Sequence, residues 1–370
     1  MSIERSLGVL RVLCSSGVDL LTQMPLTSQL LKQALPSFSL SLIRVDDTCA
    51  PREHYSEFFD EFSHQLFASA GHHFSARSDD PAAFGNLLRN AWPVGTLIET
   101  RPEYVSGATY QHLFKRNGIH HTLDLALRDE RGPLGILGLF REEAARPFTR
   151  REVAIAERLY PWLVHALAAP RGQGLFSELD TAMMVVRRDG RIESASHRAQ
   201  RWLEDTAAGD DRARLMKDRR LPEACRVLFR AVEDARRPRA ASHQPVPTLC
   251  LPMAGGRLRL RAYALDAEGD RVGVHLAFEV SHTVRVMRVL ASTDVSPQLQ
   301  RVAFHLWQGE DAKTVAQRLG LSVETMKSYR KELYTRLDVH DLEGLRRVLD
   351  ARASEVTLDF ERHQPLPSRG

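Results

Sequence analysis

The 370 residues, 43% hydrophobic and 26% charged, have the composition of an ordinary globular protein rather than a disordered or fibrous one, and at roughly 150 residues per domain they imply two or three cores. With 51 basic against 47 acidic residues and a formal net charge of +4, the overall balance neither demands nor excludes a polyanionic partner, so basic residues must be weighed where they cluster. No apolar run approaches the roughly 18 residues of a membrane span, the opening MSIERSLGVLRVLCSS lacks a signal-cleavage site, and Cys14, Cys49, Cys225 and Cys250 form no C-x-x-C pair, which points to a cytoplasmic protein with reduced thiols, no metal centre and no cofactor.

From about residue 25 to 167 helices and strands alternate. PSFSLSLIRV places Phe38, Leu40 and Leu42 at a period of two, as in a half-buried strand. TLDLALRDERGPLGILGLF reads as a hairpin turning through Asp129 to Pro133. TRREVAIAERLYPWLVHAL reads as a helix capped by Thr149, and APRGQG as a linker. A second segment opens on AMMVVRRDGRIESAS, whose Asp189-Gly190 signals a tight hairpin. A helix over about 197–203 follows. EDARRPRAASHQPVPT is basic and Pro-rich and is read as a flexible loop, its charge solvated. GRLRLRAYALDAEGDRVGVHLAFEV forms another hairpin, with Leu258 and Leu260 on the buried face and Arg257, Arg259 and Arg261 on the solvated one.

The third segment, about 293–352, is helical by pattern. Ser296 caps a first helix that begins at Pro297 and stops at Gly309; Asp311 caps a short second one that stops at Gly320; Ser322 caps a third, with Glu324 in its first turn. Two short helices and a tight glycine turn leading into a longer helix make a helix-turn-helix pattern. On the third helix Met326, Leu333 and Leu337 project to one side, while Glu324, Lys327, Ser328 and Lys331 project to the other. A ridge this slim fits the major groove, about 12 Å wide. Lys327 and Lys331 could donate to guanine O6 and N7 or to phosphate, with Ser328 between them, and Thr325 and Arg330 could bind phosphate. Charge pattern alone does not decide the matter, because an amphipathic helix with a lysine every fourth residue is commonly just solvated.

The string VSPQLQRVAFHLWQGEDAKTVAQRLGLSVETMKSYRKELYTRLDVHD resembles the LuxR-type helix-turn-helix family of bacterial transcription regulators without a gap. The resemblance implies that Lys327, Ser328 and Lys331 touch bases or nearby phosphates, that Lys313 and Thr325 contact phosphates, and that a final helix with Leu342, Leu345 and Leu349 mediates dimerisation; Ser322 and Arg330 complete the candidate DNA-binding set. Closure of the small domain's own core is the other reading of those leucines. Gln298, Leu299 and Arg301 stand where the family usually has an Arg-Glu-x-Glu run, which puts the ion pairs that brace the first helix in question. Upstream, DGRIESASHRAQRWL resembles a PAS domain and GPLGILGLFREEAARPFTRRE a GAF domain, and both imply a sheet and helices around a pocket that takes a small-molecule ligand or serves dimerisation alone.

The expected architecture is therefore multi-domain: α+β sensor units, GAF-like over 1–168 and PAS-like over 175–282, a linker over 283–292, an all-α four-helix helix-turn-helix domain over 293–352, and a tail over 353–370. His72-His73 and His120-His121 are read as surface or packed residues, and Asp46-Asp47 without a receiver arrangement downstream. No hydrolase, Walker, zincin or dinucleotide motif is present, so the chain is read as no enzyme. The expected function is a dimeric, sequence-specific regulator of transcription that binds double-stranded DNA, with RNA polymerase as a candidate partner and an unidentified ligand acting on the sensor units. The alternative is a small-molecule sensor whose helical C-terminal domain binds a protein.

Overall fold

The computed structural model describes residues 3–49, 51–57, 80–89, 93–97, 102–170, 174–207, 209–236 and 246–355. Two five-stranded antiparallel sheets, each with its own helices, precede a run of helices, the multi-domain arrangement expected. The first unit opens with α1 (Ile3–Cys14) and α2 (Leu20–Ala34), which the strand patterns did not reveal. Its strands are β1 (Ser39–Val45), β2 (Pro51–Ser56), β3 (Val94–Gly95), β4 (His121–Asp129) and β5 (Gly132–Arg141), in the order β2-β1-β5-β4-β3. The short α3 (Phe84–Arg89) lies among them in sequence, and α4 (Arg150–Ala168) follows.

Alternation along β4 divides two cores. Leu123, Leu125 and Leu127 join α1, α2 and α4, whereas Ala126 joins Ile136, Phe140 and the aromatic residues Tyr104, Tyr110 and Phe114 on the opposite face. Thr149 caps α4 as expected and forms a full capping box with Glu152. The same Glu152 receives the Arg141 guanidinium at 2.6 Å with both side chains nearly buried. Burial raises its carboxyl pKa, but hydrogen bonds from Arg141 and Thr149 outweigh this and hold it below the usual range. A depressed carboxylate stabilises the fold above its unfolded-state pKa, and that contribution drains away as pH falls toward the folded value. Glu152→Gln should cost about 3–5 kcal/mol near neutral pH by leaving Arg141 buried without its counter-charge, and urea titrations should show the loss shrinking below about pH 4. An equal deficit at pH 3 and pH 7 would contradict this account.

The second unit has β6 (Phe176–Arg187), β7 (Ile192–Ala195), β8 (Thr248–Met253), β9 (Gly256–Ala264) and β10 (Arg271–Ser281), in the order β7-β6-β10-β9-β8, which repeats the first sheet's topology. Asp189-Gly190 makes the expected turn between β6 and β7, with Gly190 at φ 86. Three helices follow β7: α5 (His197–Thr206), capped by Ser196, then α6 (Gly209–Asp218) and α7 (Arg226–Arg236). The basic stretch read as a loop begins inside α7, whose last four residues are 233–236; residues 237–245 lie outside the described ones. On β9 Arg261 is exposed as its alternation implied, whereas Arg257 and Arg259 are less solvated. Arg257 and Arg259 both bond Glu279, at 2.7 and 2.6 Å, and Glu279 is nearly buried between them.

Residues 283–292, expected as a linker, lie in a helix, α8 (His282–Ser292). Val284, Val286, Met287, Val289 and Leu290 are all buried, so the joint is itself a core element. Four further helices complete the chain: α9 (Pro297–Trp307), α10 (Ala312–Leu319), α11 (Val323–Leu337) and α12 (Leu342–Glu355). Their core is continuous with that of α1, α2, α4 and α8. Gly8 on α1 permits a close approach to α9, since a Cβ there would lie 2.5 Å from the Pro297 Cβ. Asp350 ties α12 to two neighbours by accepting the Trp307 indole N–H at 2.7 Å and meeting His282 Nε2 at 2.8 Å. No helix of the described residues is long and apolar enough to cross a membrane.

Candidate nucleic-acid interface

The interface is built on α10 and α11, whose ends are fixed by the residues the sequence nominated. Asp311 accepts the backbone N–H groups of Lys313 and Thr314, both at 2.9 Å. Gly320 closes α10 in the left-handed conformation, φ 65 and ψ 34, where any Cβ is strained. Ser322 Oγ then accepts the Thr325 backbone N–H at 3.0 Å and opens α11. These caps leave a short turn between the two helices and set α11 against the others.

Burial divides α11 as its periodicity required. Met326, Leu333 and Leu337 are buried in the core, whereas Lys327, Ser328, Arg330 and Lys331 are exposed. Lys313 and Ser322 are exposed and Thr325 is half-buried. The structure therefore brings Ser322, Thr325, Lys327, Ser328, Arg330 and Lys331 onto one helix and its cap, with Lys313 on the first turn of the preceding helix. Lys327, Arg330 and Lys331 also border a groove whose other wall is Val339, His340, Asp341 and Leu342 at the start of α12.

One electrostatic feature escaped the sequence reading. Glu324 Oε1 accepts a hydrogen bond from Lys327 Nζ at 2.9 Å, with both side chains open to solvent. Glu324 thus competes for a lysine of the ridge. Glu324→Gln should raise duplex affinity roughly two- to fivefold at low salt, the scale of an exposed ion pair, as read by fluorescence anisotropy. Weaker binding would mean that Glu324 helps recognition.

The departure in the first helix has a structural answer. Arg301 Nη1 donates to Gln298 Oε1 at 3.0 Å, a neutral brace within α9 where an ion pair was in question. The structure places the leucines that the resemblance assigns to dimerisation within the chain's own core. Leu345 and Leu349 are fully buried, packed with α8 and α9 in the chain's own core, and Leu342 is half-buried against it. The apolar stripe of α12 is taken up by α8, a helix that sequence reading left as a joint.

Other nominated residues play no part here. His120 and His121 have rings at 89° to one another; His120 Nδ1 meets the Tyr110 hydroxyl at 2.8 Å and His121 is buried. His72 and His73 lie outside the described residues. Asp46 caps its own turn through Thr48 and pairs with Arg52 at 2.6 Å. Among the described residues no group of His, Cys, Asp or Glu is arranged to hold a metal ion.

Residues 296–349 match the sequence family described as bacterial regulatory proteins of the luxR family, GerE type. No curated relative matches the chain. Among solved structures, similarity extends to a VqmA–ligand–DNA complex from Vibrio cholerae, at 16% identity over 49% of this chain and 87% of that one, with a TM-score of 0.28. It extends also to an E. coli DhaR(N)–DhaL complex, at 12% identity over 75% of this chain and 87% of that one, with a TM-score of 0.24. Similarity this loose transfers no property of either protein to this chain.

Proposed function

Residues 296–349 form a luxR-type helix-turn-helix domain, and from that premise we propose that the chain is a sequence-specific DNA-binding regulator of transcription acting as a homodimer under the control of its two N-terminal sheet units. The observation that carries this reading is the exposed ridge of Lys327, Ser328 and Lys331 on a helix whose opposite face is buried. In the described structure the side chains of the ridge are open to solvent. In this reading Lys327 and Lys331 donate to base edges or adjacent phosphates, while Lys313, Ser322, Thr325 and Arg330 fix the domain on the backbone. Two copies would read half-sites about 34 Å apart, one turn of the duplex.

Binding to promoter fragments across a salt series tests the proposal. Affinity should fall linearly on a logarithmic scale with salt, with a slope near −0.9 for each phosphate neutralised. The contrasting reading, a sensor whose helical end contacts a protein, would be favoured by failure of every duplex to bind at low salt.

A further inference from the structure

A cleft of about 350 Å³ opens between the first unit and the helix-turn-helix domain. One wall carries Arg11 from α1 with Trp162 and His165 from α4, and the other carries Arg301 and His305 from α9 with Arg318 from α10. Three guanidiniums and two imidazoles thus face one space from four helices. The three guanidiniums repel one another across a partly dry space, and an entering counter-charge would relieve that repulsion.

The charges already in the cleft do not balance. Glu310 meets His305 Nδ1 at 3.0 Å and the Arg318 Nε at 3.3 Å. Among the described residues Arg301 bonds the neutral Gln298 and no carboxylate, and Arg11 lies over the Trp162 ring at 5.7 Å with no carboxylate partner. Burial lowers the pKa of the Arg301 guanidinium, and the charge of Arg11 lowers it further. His305 is pushed down by its own burial, with Arg318 and Arg301 adding to the depression against the opposing pull of Glu310. Apolar surface from Val12, Leu319 and Trp162 lines the same space.

We propose that this cleft binds a small organic anion, a phosphate- or carboxylate-bearing metabolite with a planar or apolar body, which bridges Arg11 on one side to Arg301 and Arg318 on the other. Guanidiniums suit the role because each presents two parallel N–H donors to an oxyanion, and Trp162 offers a flat surface to the rest of the ligand. The volume is at the small end of metabolite sites and well above the needs of a lone oxyanion. Bound there, the anion clamps the helix-turn-helix domain to α1 and α4, because its contacts come from both sides and neither side alone provides them.

The test is calorimetric titration of the full chain with phenyl phosphate and with inorganic phosphate, in chloride buffer of matched ionic strength. Saturable binding of phenyl phosphate, weakened roughly tenfold or more in Arg11→Gln/Arg318→Gln, is the expected result. Tighter binding of phenyl phosphate than of inorganic phosphate assigns an organic anion, and equal binding reduces the site to one for a free oxyanion and overturns the claim for a metabolite. Both arginines are exposed, so the double variant should keep the circular dichroism of the wild type; if it does not, Arg11→Gln alone, which leaves the Arg318–Glu310 pair intact, serves as the comparison. No saturable binding of either probe up to roughly 10 mM, a free energy of about −3 kcal/mol, or binding unchanged in the variant, overturns the proposal. The measurement uses no DNA, so its outcome is independent of the reading of α11.

Discussion

Lys327→Ala/Lys331→Ala should abolish discrimination between the best duplex site and unrelated sequence while leaving the fold intact. Both side chains are exposed and neither supports the core, so the thermal midpoint should stay close to that of the wild type. Alanine removes two donors from the ridge, and each contact to a base edge contributes about 1–3 kcal/mol of discrimination. Where a lysine instead meets phosphate, its loss weakens all sequences equally and lowers the salt slope by about one. Anisotropy titrations of the best site and a scrambled one, each at several salt concentrations, separate the two contributions. A double variant that binds its best site as the wild type does would show that the ridge is solvated surface.

A change within the hydrophobic core should also have a large effect on stability. Leu349→Ala removes a fully buried side chain that packs α12 with α8 and α9, and truncations of this kind cost about 2–5 kcal/mol, depending on how far the cavity collapses. If the leucine closes the chain's own core, the lost stability does not depend on protein concentration. If it served a dimer instead, the variant would dissociate on dilution while each copy kept its stability. Urea unfolding at two concentrations, with sedimentation velocity on the same samples, distinguishes these outcomes. Concentration-independent destabilisation is expected, and dissociation without destabilisation would favour the dimer reading of α12.

The helix-turn-helix domain was the most legible part of the sequence because its signals are local. Ser296, Asp311, Gly320 and Ser322 each cap or stop a helix within a few residues of themselves, and each does so in the structure. The opposed faces of α11 follow from the 3.6-residue period, so the candidate ridge could be named without tertiary information. The β4–β5 and β6–β7 hairpins and the capped α4 were legible for the same reason.

What could not be read depends on contacts between distant residues. Residues 283–292 fall between two recognisable segments and read as a joint, yet their apolar side chains pack with α12 and the first unit in one core. That packing also places Leu345 and Leu349 of α12 in the chain's own core, which spacing left open. The ion pairs of Glu279 with Arg257 and Arg259 join residues about twenty apart in sequence, and alternation alone assigned those arginines to solvent. The cleft at Arg11 and Arg301 draws on residues nearly three hundred positions apart, and no local motif marks it.

Selection of bound sequences from a random pool of duplexes, using the full-length chain at low salt, tests the central claim most directly. If the α11 ridge reads base edges, a defined motif should be enriched, its affinity should fall steeply with salt, and the enrichment should disappear in Lys327→Ala/Lys331→Ala. A pool that stays random after repeated rounds, or a motif that the double variant enriches equally, would contradict the account.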